Sequence, residues 1–428
     1  MVTTNYRSDK ANFEIDNETG RWGVTDPGGQ ISPDYFSKSI ADLSKSDTRP
    51  NSIAILVKMS EGCNLACSYC FQKEKPIANM TFESARLLEH NIAQFHSKYP
   101  MVKISLEFTG GEPLLNFKVL KGLYDRLNER RIPLAGTGIK TNGTVFSESI
   151  YNFFRVNTQV QACFSLDGLT GEGNGARLYK SGLPSYKKVV QNAKVYRSKT
   201  QKPLSNIMVL QSAKQVDDAR EMLETKLFDS VKINILGHQS PVDQIALANS
   251  YLRLMDYAAL KSEQGILLRL PTFLEFLRNI LRSEERNDWS YCASRTCDAG
   301  VNIFAIKNDL SVYPCLESAE DKSSLQGTLT SQSSLTEIYR LNRNGVKLRF
   351  NSPLTQILKC KECAVQRFCR GSCGVRSFSA FSKTGMPSDA CDYYYSVYTG
   401  LIERLADPIL RVRLVDYYKK YVSNRTGG

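Results

Sequence analysis

The sequence predicts an α/β protein that combines an open, partial (β/α)6 barrel of the TIM-like kind with a smaller cysteine-rich region. From residue 52 onward, a short strand rich in β-branched or aromatic residues alternates six times with a helical stretch. Such alternation indicates a parallel sheet with right-handed crossovers, and six units are too few to close an eight-stranded barrel. From Cys292 onward the periodic patterns fade and cysteines recur, which indicates a second region with a different kind of core.

The six predicted strands are short and lie between longer helical stretches. They cover residues 53–59, 102–108, 134–141, 160–166, 205–210 and 231–236. Helices are expected at 81–98 and 186–198 among others. A further helical stretch is expected at 242–282, with Ser240 as its N-cap and Pro241 in its first turn. Residues 13–22 are expected to form a small hairpin.

Two of these strands alternate polar and apolar residues. Ser105, Glu107 and Thr109 share one face of the second strand, and Cys163, Ser165 and Asp167 share one face of the fourth. A polar inner face opposite an apolar, helix-facing outer face predicts a barrel lumen that binds a polar ligand. An edge strand with one face in water is the alternative interpretation.

The composition indicates a cytoplasmic protein with a sizeable core. The chain has 428 residues, 42% of them hydrophobic, and a polar start without the apolar segment of a signal peptide. No apolar run is long enough to cross a bilayer, so no membrane association is expected. The formal net charge of +13 would attract an acidic peptide or nucleic acid. No dense Lys/Arg block stands out, which favours an ordinary solvated surface. Four segments are expected: an N-terminal extension (1–50), the barrel (51–283), the cysteine-rich domain (284–395) and a C-terminal helical tail (396–428).

The chain has 12 cysteines but only three histidines, so a metal site would be built mainly from sulfur. Cysteines at short spacings in a cytosolic protein indicate iron–sulfur clusters or four-cysteine zinc sites. Cys63, Cys67 and Cys70 follow the first strand with the spacing C-x3-C-x2-C, at the carboxyl rim where α/β barrels place their active sites. Three thiolates can hold three irons of a [4Fe–4S] cluster and leave the fourth iron open. Zinc usually takes four protein ligands.

This motif, with Tyr69 and Phe71 beside Cys70, resembles the signature of the radical S-adenosylmethionine (SAM) superfamily. The resemblance implies that SAM chelates the open iron. Transfer of one electron then cleaves the sulfonium of SAM. The products are methionine and a 5′-deoxyadenosyl radical that abstracts hydrogen, and Cys63, Cys67 and Cys70 are then the catalytic centre. Elements similar to the family's GGEP and TNG motifs follow in order, although residues 171–175 depart from its pattern. By this resemblance, the residues that contact SAM are Tyr69, Gly110, Gly111, Glu112, Pro113, Asn142, Ser165, Asp167 and Arg177.

Eight further cysteines lie beyond residue 290, enough for two fully ligated [4Fe–4S] clusters or, as the spacing alone also allows, for two zinc sites. The run C-x2-C-x5-C-x3-C, together with residues 297–300 and 313–315, is similar to the SPASM domain. By that resemblance the chain holds three [4Fe–4S] clusters in all. The first auxiliary cluster is assigned to Cys292, Cys297, Cys315 and Cys373. The second is assigned to Cys360, Cys363, Cys369 and Cys391. Cys163 is left over and is interpreted as a buried structural cysteine.

The resemblance implies an oxidoreductase that acts on a peptide, because SPASM-containing enzymes mostly modify peptides or proteins. The favoured function is an oxidative intramolecular crosslink, of a cyclophane, C–C or ether type, in a ribosomally made precursor peptide. Formylglycine formation in sulfatases, peptide epimerisation and a non-catalytic metal-cluster protein that binds nucleic acid are the alternatives. Sulfatase-maturing enzymes have an Asp base directly after the Tyr-Pro-Cys cysteine, where this chain has Leu316 followed by Glu317. The expected partners are the peptide, an electron donor such as flavodoxin or ferredoxin, and a separate leader-binding protein.

Overall fold

The computed structural model describes residues 3–16, 22–25, 52–72, 75–235, 243–281, 297–342, 357–369, 371–378 and 390–424. At the N-terminus, β1 (Thr3–Arg7), β2 (Asn12–Asp16) and β3 (Trp22–Thr25) form an antiparallel sheet. The hairpin predicted at 13–22 is the pair of β2 and β3, in which Ile15 lies opposite Trp22. Phe13 packs against Trp22 and against Phe368, so this sheet lies against the C-terminal region.

Six parallel strands form the barrel and neighbour one another in chain order. They are β4 (Ser52–Ser60), β5 (Lys103–Gly110), β6 (Leu134–Thr141), β7 (Val160–Ser165), β8 (Leu204–Leu210) and β9 (Ser230–Ile235). Each strand lies within two residues of its predicted position. The partial (β/α)6 barrel predicted from the sequence is therefore confirmed.

The barrel helices pack their apolar faces on the outside of this sheet. They are α1 (Phe82–Lys98), α2 (Phe117–Glu129), α3 (Glu148–Val156), α4 (Tyr186–Thr200) and α5 (Gln215–Glu224). Helix α1 shows what determines the start of such a helix and which of its faces is buried. The Thr81 side chain accepts a hydrogen bond from the Ser84 amide, and Leu88, Ile92 and Phe95 turn one buried face towards the sheet.

The helical stretch predicted at 242–282 is two helices, α6 (Gln244–Glu263) and α7 (Pro271–Leu281). Gly265 between them has a φ of 80°, which ends the first helix, and Pro271 starts the second. The predicted cap at Ser240 and Pro241, and the predicted boundary near residue 283, lie outside the described residues.

The strand partner of β4 on its other side comes from the cysteine-rich region, which the sequence did not predict. Strand β10 (Ile303–Ile306) runs parallel to β4, and β11 (Ser311–Tyr313) and β12 (Gly327–Thr328) continue the sheet in antiparallel pairs. Within the described residues, the sheet therefore has nine strands in the order β12-β11-β10-β4-β5-β6-β7-β8-β9. The barrel and the cysteine-rich region share this sheet.

The last described elements are helices, and those from Gln366 onward pack on α6 or α7. They are α8 (Leu358–Lys361), α9 (Gln366–Cys369), α10 (Cys391–Ala406) and α11 (Pro408–Ser423). The Tyr417 ring stacks on Phe273 with centroids 4.7 Å apart, and Arg404 makes two hydrogen bonds to Asp256. Helix α10 starts at Cys391 itself, so the helical tail begins before the predicted residue 396. None of the helices in the described ranges is long and apolar enough to cross a membrane.

Candidate active site

The segments that carry the motifs meet at one edge of the barrel, because the carboxyl ends of parallel strands lie at the same edge of a sheet. The Gly111 amide donates to the Ser60 carbonyl at 2.7 Å, and the Glu112 amide donates to the Gly62 carbonyl at 2.9 Å. Through these two hydrogen bonds, the turn after β5 is in direct backbone contact with the loop after β4. A Cβ atom at Gly111 would collide with the Gly62 carbonyl, so this approach requires glycine.

Hydrogen-bond donors are directed at the sulfurs of the loop that carries Cys63 and Cys67. The buried Cys63 Sγ accepts from the Leu65 amide at 3.4 Å and from Asn142 Nδ2 at 3.6 Å. The Cys67 Sγ accepts from Arg177 Nη1 at 3.9 Å. Donors in these positions stabilise thiolate ligands. Burial raises the pKa of the Cys63 and Cys67 thiols, so each is protonated at neutral pH until a metal displaces the proton.

This donor set fits an iron–sulfur cluster. Among the described residues, no three His, Cys, Asp or Glu side chains converge on a point where a single metal ion could sit. The thiolates of a [4Fe–4S] cluster each bind a different iron, so they need not converge. Cys63, Cys67 and Cys70 would hold such a cluster, and the Cys70 amide donates to the Cys67 carbonyl at 3.1 Å within the same turn.

Glu112 is a fully buried carboxyl that joins the ends of β5 and β6. Its two oxygens accept hydrogen bonds from the Thr141 hydroxyl at 2.8 Å, the Asn142 amide at 2.7 Å and the Leu114 amide at 3.0 Å. Burial raises the pKa of Glu112 to about 7, although the three donors lower it. Asn142 in turn reaches the cysteine loop, because its Nδ2 also donates to Asn64 Oδ1 at 2.8 Å. Glu112 therefore holds Asn142 against the loop.

Asp167 binds Tyr69 and Arg177 beside the cysteine loop. Its side chain is completely unexposed, and Oδ2 accepts from Arg177 Nε at 2.8 Å and from the Tyr69 hydroxyl. Oδ1 accepts from the Val209 amide at 2.9 Å. The Arg177 guanidinium lies 5.4 Å from the centre of the Tyr69 ring. Asp167 therefore positions Tyr69 and Arg177.

Sequence reasoning missed a buried ion network beneath the loop. Lys58 on β4 is 1% exposed and donates to Glu61 Oε2 at 2.7 Å and to Glu320 Oε1 at 2.9 Å. Gln72 Nε2 donates to the same Glu61 oxygen at 2.7 Å. Glu320 follows the turn after Cys315, so the network ties the first cysteine loop to the cysteine-rich region. The pairing of Lys58 with a residue 262 positions away leaves no local signal in the sequence.

The lumen has a polar wall, as the strand alternation predicted. Lys140 Nζ lies 2.6 Å from Glu107 Oε1, and the Ser230 hydroxyl donates to Ser205 Oγ at 2.9 Å. Cys163 lies beside Lys140 and Glu107 and is partly exposed, so the expectation of a buried structural cysteine is wrong. Its place in the lumen follows from the alternation of β7, which also puts Ser165 on this face. Partial enclosure still raises the pKa of Cys163 to about 12.

The wall of the lumen next to Glu107 is apolar. Leu56 is the register partner of Glu107 and of Ala305, which puts these three residues on the same face of the sheet. Leu56 and Leu316 pack against Ala305, Tyr313 and Ala319. Leu316 therefore belongs to this wall.

The described cysteines of the second region fall into two groups. Burial raises the pKa of Cys315 well above its usual range, and charge on Cys373 or Cys297 would raise this pKa further. Such an effect requires short distances, so these three thiols lie close together. They pack with Ala299 and Val375. Cys292, predicted as the fourth ligand of this group, lies outside the described residues.

The other group contains Cys360, Cys363, Cys369 and Cys391, whose charges act on one another in the same way. Burial raises the pKa of Cys360 to about 11 and that of Cys369 to about 12. Tyr394 lies near one cysteine of each group. Burial raises its pKa, and charge on Cys369 and on Cys373 would raise it further. The two predicted ligand sets and their metal content stay predictions.

Comparison with known proteins identifies the barrel. Residues 57–225 match the Radical SAM superfamily, a range that starts within β4 and contains the cysteine loop, the GGEP turn, Asp167 and Arg177. These residues are a radical SAM domain. The part of the chain beyond them carries the two further cysteine groups.

The radical SAM domain and much of the rest of the chain have curated relatives. An uncharacterized protein of Methanocaldococcus jannaschii is 32% identical over 136 residues, which span 31% of this chain and less than half (44%) of that protein. The chain is also homologous to a cysteine-type anaerobic sulfatase-maturating enzyme of Clostridium perfringens. The two are 25% identical over 344 residues, 75% of this chain and 88% of that enzyme.

Two solved structures share the fold. Native anSMEcpe with bound AdoMet and the Cp18Cys peptide superposes with a TM-score of 0.69 at 21% identity, covering 86% of this chain and 99% of that one. Streptococcus suis SuiB bound to the precursor peptide SuiA superposes with a TM-score of 0.58 at 14% identity, covering 89% and 96%. At these identities the likeness concerns the fold.

Proposed function

We propose that this chain is a radical SAM maturase that forms an oxidative intramolecular crosslink in a ribosomally made precursor peptide. The radical SAM domain supports hydrogen abstraction from carbon, and homology to a sulfatase-maturating enzyme over 88% of that enzyme supports a polypeptide substrate. One observation favours a crosslink over an aldehyde. The residue that follows Cys315 lies in the apolar wall of the lumen and has no titratable group.

The residue directly after Cys315, Leu316, has no carboxylate. Leu316 packs against the cluster that contains Ala305 and Tyr313. The following Glu317 is held by two hydrogen bonds of 3.1 Å from Arg376. General-base catalysis requires a titratable group within hydrogen-bond reach of the proton that is removed. The Arg376 guanidinium thus engages both oxygens of the Glu317 carboxylate. The pair therefore supports a reaction in which no base acts from this loop.

The remaining residues bind and orient the reactants. A bound cluster with SAM supplies a 5′-deoxyadenosyl radical that takes hydrogen from an unactivated carbon. Asp167 holds Tyr69 and Arg177 against the Cys67 side of the loop, and Glu112 holds Asn142 against the Cys63 side. The apolar wall excludes water from one side of the substrate.

An oxidative outcome removes two hydrogen atoms from the peptide. The first leaves as an atom, and the second leaves as a proton after one electron has been withdrawn. The two cysteine groups are suited to hold redox clusters that take this electron. An isomerisation such as epimerisation needs no electron sink, so the presence of both groups supports the crosslink.

Co-expression with the neighbouring short peptide gene tests the proposal. Tandem mass spectrometry should show a peptide lighter by two hydrogens per crosslink, with fragmentation blocked between the joined residues. The matched control is the same co-expression with Cys63, Cys67 and Cys70 replaced by alanine, which should leave the peptide unmodified. A modified peptide of unchanged mass would identify an epimerase, and an unmodified peptide from every neighbouring gene would contradict the proposal.

Formylglycine formation is the second candidate, because the relative homologous over 88% of its own length is a sulfatase-maturating enzyme. We expect no aldehyde when this chain is incubated with a sulfatase-motif peptide, SAM and a strong reductant, because Leu316 cannot accept a proton. Mass spectrometry of the peptide provides the measurement. The Leu316→Asp variant supplies the missing base and is the informative comparison. Multiple turnovers to the aldehyde by the unaltered chain would show that the second candidate is correct.

A further inference from the structure

A crosslinking reaction releases a proton from the peptide, and the residues that follow Cys315 are poorly placed to accept it. Leu316 has no titratable group, and both oxygens of the Glu317 carboxylate accept hydrogen bonds from Arg376 at 3.1 Å. A general base must lie within hydrogen-bond reach of the proton that it removes. The titratable side chains on the lumen face of the barrel strands are the other groups that can meet this requirement.

Three titratable side chains lie side by side on the lumen face of β5, β6 and β7, namely Glu107, Lys140 and Cys163. Lys140 Nζ is 2.6 Å from Glu107 Oε1, and Lys140 is the register partner of Cys163. Gly110 of the catalytic rim follows Glu107 by three residues, and Asn142 follows Lys140 by two. A strand rises about 3.3 Å per residue, so the pair lies about 7–10 Å below the rim. A peptide that enters the lumen from the rim therefore meets these side chains.

The protein uses only one oxygen of the Glu107 carboxylate. Oε1 is inaccessible to solvent and faces Lys140, whereas no donor among the described residues bonds to Oε2. The side chain is 27% exposed, and because Oε1 is inaccessible this exposure belongs to its other atoms.

Strand β6 leaves space beside Glu107. Gly138 is the register partner of Glu107, and Gly136 precedes it on the same face. A Cβ at Gly138 would stand 3.8 Å from the Glu107 Cγ, and a Cβ at Gly136 would meet nothing within 4 Å. A side chain of a bound peptide can therefore approach Glu107 from the lumen.

The two titratable neighbours of Glu107 already carry their protons at neutral pH. Burial lowers the pKa of Lys140, but the Glu107 carboxylate raises it by more, so the Lys140 side chain is an ammonium. Burial raises the pKa of the Cys163 thiol to about 12, so its thiolate is scarce. Neither group can take up a further proton. Of these three side chains, Glu107 is the one that can act as a proton acceptor.

We propose that Glu107 is the general base of the crosslinking reaction and accepts the proton that the peptide loses when the crosslink forms. This inference rests on the proposed function. One hydrogen atom leaves the peptide with the 5′-deoxyadenosyl radical, and the remaining carbon radical forms a bond to a second side chain. The adduct then loses one electron to an oxidised iron–sulfur cluster of the cysteine-rich region and one proton to the Glu107 carboxylate, which becomes a carboxylic acid. Lys140 is a positioning residue, because its ammonium holds Oε1 and leaves Oε2 for the proton.

Glu107→Gln tests the proposal, because the amide keeps the size of the side chain and cannot accept the proton. The reconstituted full chain is incubated with SAM, dithionite and the synthetic precursor peptide encoded by the neighbouring gene. Three quantities are measured: 5′-deoxyadenosine, crosslinked peptide and, by calorimetry without SAM or reductant, the affinity for the same peptide. Glu148→Gln is the matched control. Glu148 also pairs with a lysine, Lys199, but its side chain is 77% exposed and lies on helix α3 outside the barrel.

Glu107→Gln should form about a hundredfold less crosslink per SAM cleaved, the usual contribution of a general base, while 5′-deoxyadenosine and peptide affinity stay within about twofold of the parent. Glu148→Gln should match the parent in all three measurements. Added formate should restore part of the crosslinking in a Glu107→Ala protein whose iron content equals that of the parent, because the shortened side chain leaves room for a small carboxylate. Formate should have no such effect on Glu107→Gln, where the amide fills that room.

Parent-like crosslinking by Glu107→Gln would overturn the proposal. So would a loss of peptide affinity large enough to account for the lost crosslink, because Glu107 would then bind the peptide instead of accepting its proton. Failure of formate to rescue Glu107→Ala would have the same meaning. If the parent makes no crosslink, the proposed function fails and this proposal fails with it. If the parent and Glu107→Gln crosslink equally, the proposed function stands and the role of Glu107 alone is refuted.

Discussion

Replacing Cys63, Cys67 and Cys70 by alanine should remove about a third of the iron from the reconstituted protein, because three cubane clusters hold four irons each. The same change should abolish reductive cleavage of SAM. The donors from Leu65, Asn142 and Arg177 would remain, but they would have no thiolate to act on. Iron and sulfide analysis, together with chromatography for 5′-deoxyadenosine, measures both effects.

Cys163→Ala provides the matched control for this prediction. Cys163 lies in the lumen beside Lys140 and belongs to neither cysteine group of the second region, so its removal should leave the iron content unchanged. Protein that binds zinc and no iron after reconstitution under strict anaerobiosis would contradict the assignment of all three sites.

Asp167→Ala should lower the free energy of unfolding by about 3–5 kcal/mol, the usual effect of breaking a buried ion pair by removing one partner. The change leaves the Arg177 side chain, 10% exposed, without its carboxylate, and it leaves the Tyr69 hydroxyl and the Val209 amide without their acceptor. Denaturant titration followed by circular dichroism measures the loss. The paired variant Asp167→Ala with Arg177→Leu should lose less than the sum of the two single changes, because no buried charge remains.

Glu172→Ala is the control for Asp167→Ala. Glu172 also pairs with a cation, Lys214, but both side chains are largely exposed. Water and salt screen such a pair, so the denaturation midpoint should not move. An Asp167→Ala variant as stable as Glu172→Ala would show that the pair of Asp167 and Arg177 is solvated in solution.

The barrel and its catalytic rim could be predicted from the sequence because the information is local. Each strand is a short run of β-branched residues, and each motif directly follows such a run. The parallel topology then brings Cys63, Glu112, Asn142 and Asp167 to one edge without further assumptions. Arg177 was predicted from a resemblance in a segment with an unusual pattern, and its guanidinium does lie beside Cys67.

Elements that depend on distant partners could not be predicted. Strands β10 and β11 are only four and three residues long. They form because β10 pairs with the edge of β4 and β11 pairs with β10. In the sequence, Lys58 interrupts an otherwise apolar strand. Its burial is explained only by its ion pairs with Glu61 and Glu320. The apolar cluster on which Leu316 packs likewise holds Leu56, which is far away in the chain.

The pairing of β10 with β4 has a consequence for how this protein is made in the cell. Strand β4 is synthesised early, but its partner Ile303–Ile306 follows about 250 residues later. At ordinary rates of translation, roughly 5–20 residues per second, the nascent barrel waits about 12–50 s with that strand edge unpaired. Such an edge is a template for association with other chains. A chaperone that shields the emerging polypeptide should therefore raise the yield, and a transcript truncated before Ile303 should give insoluble protein.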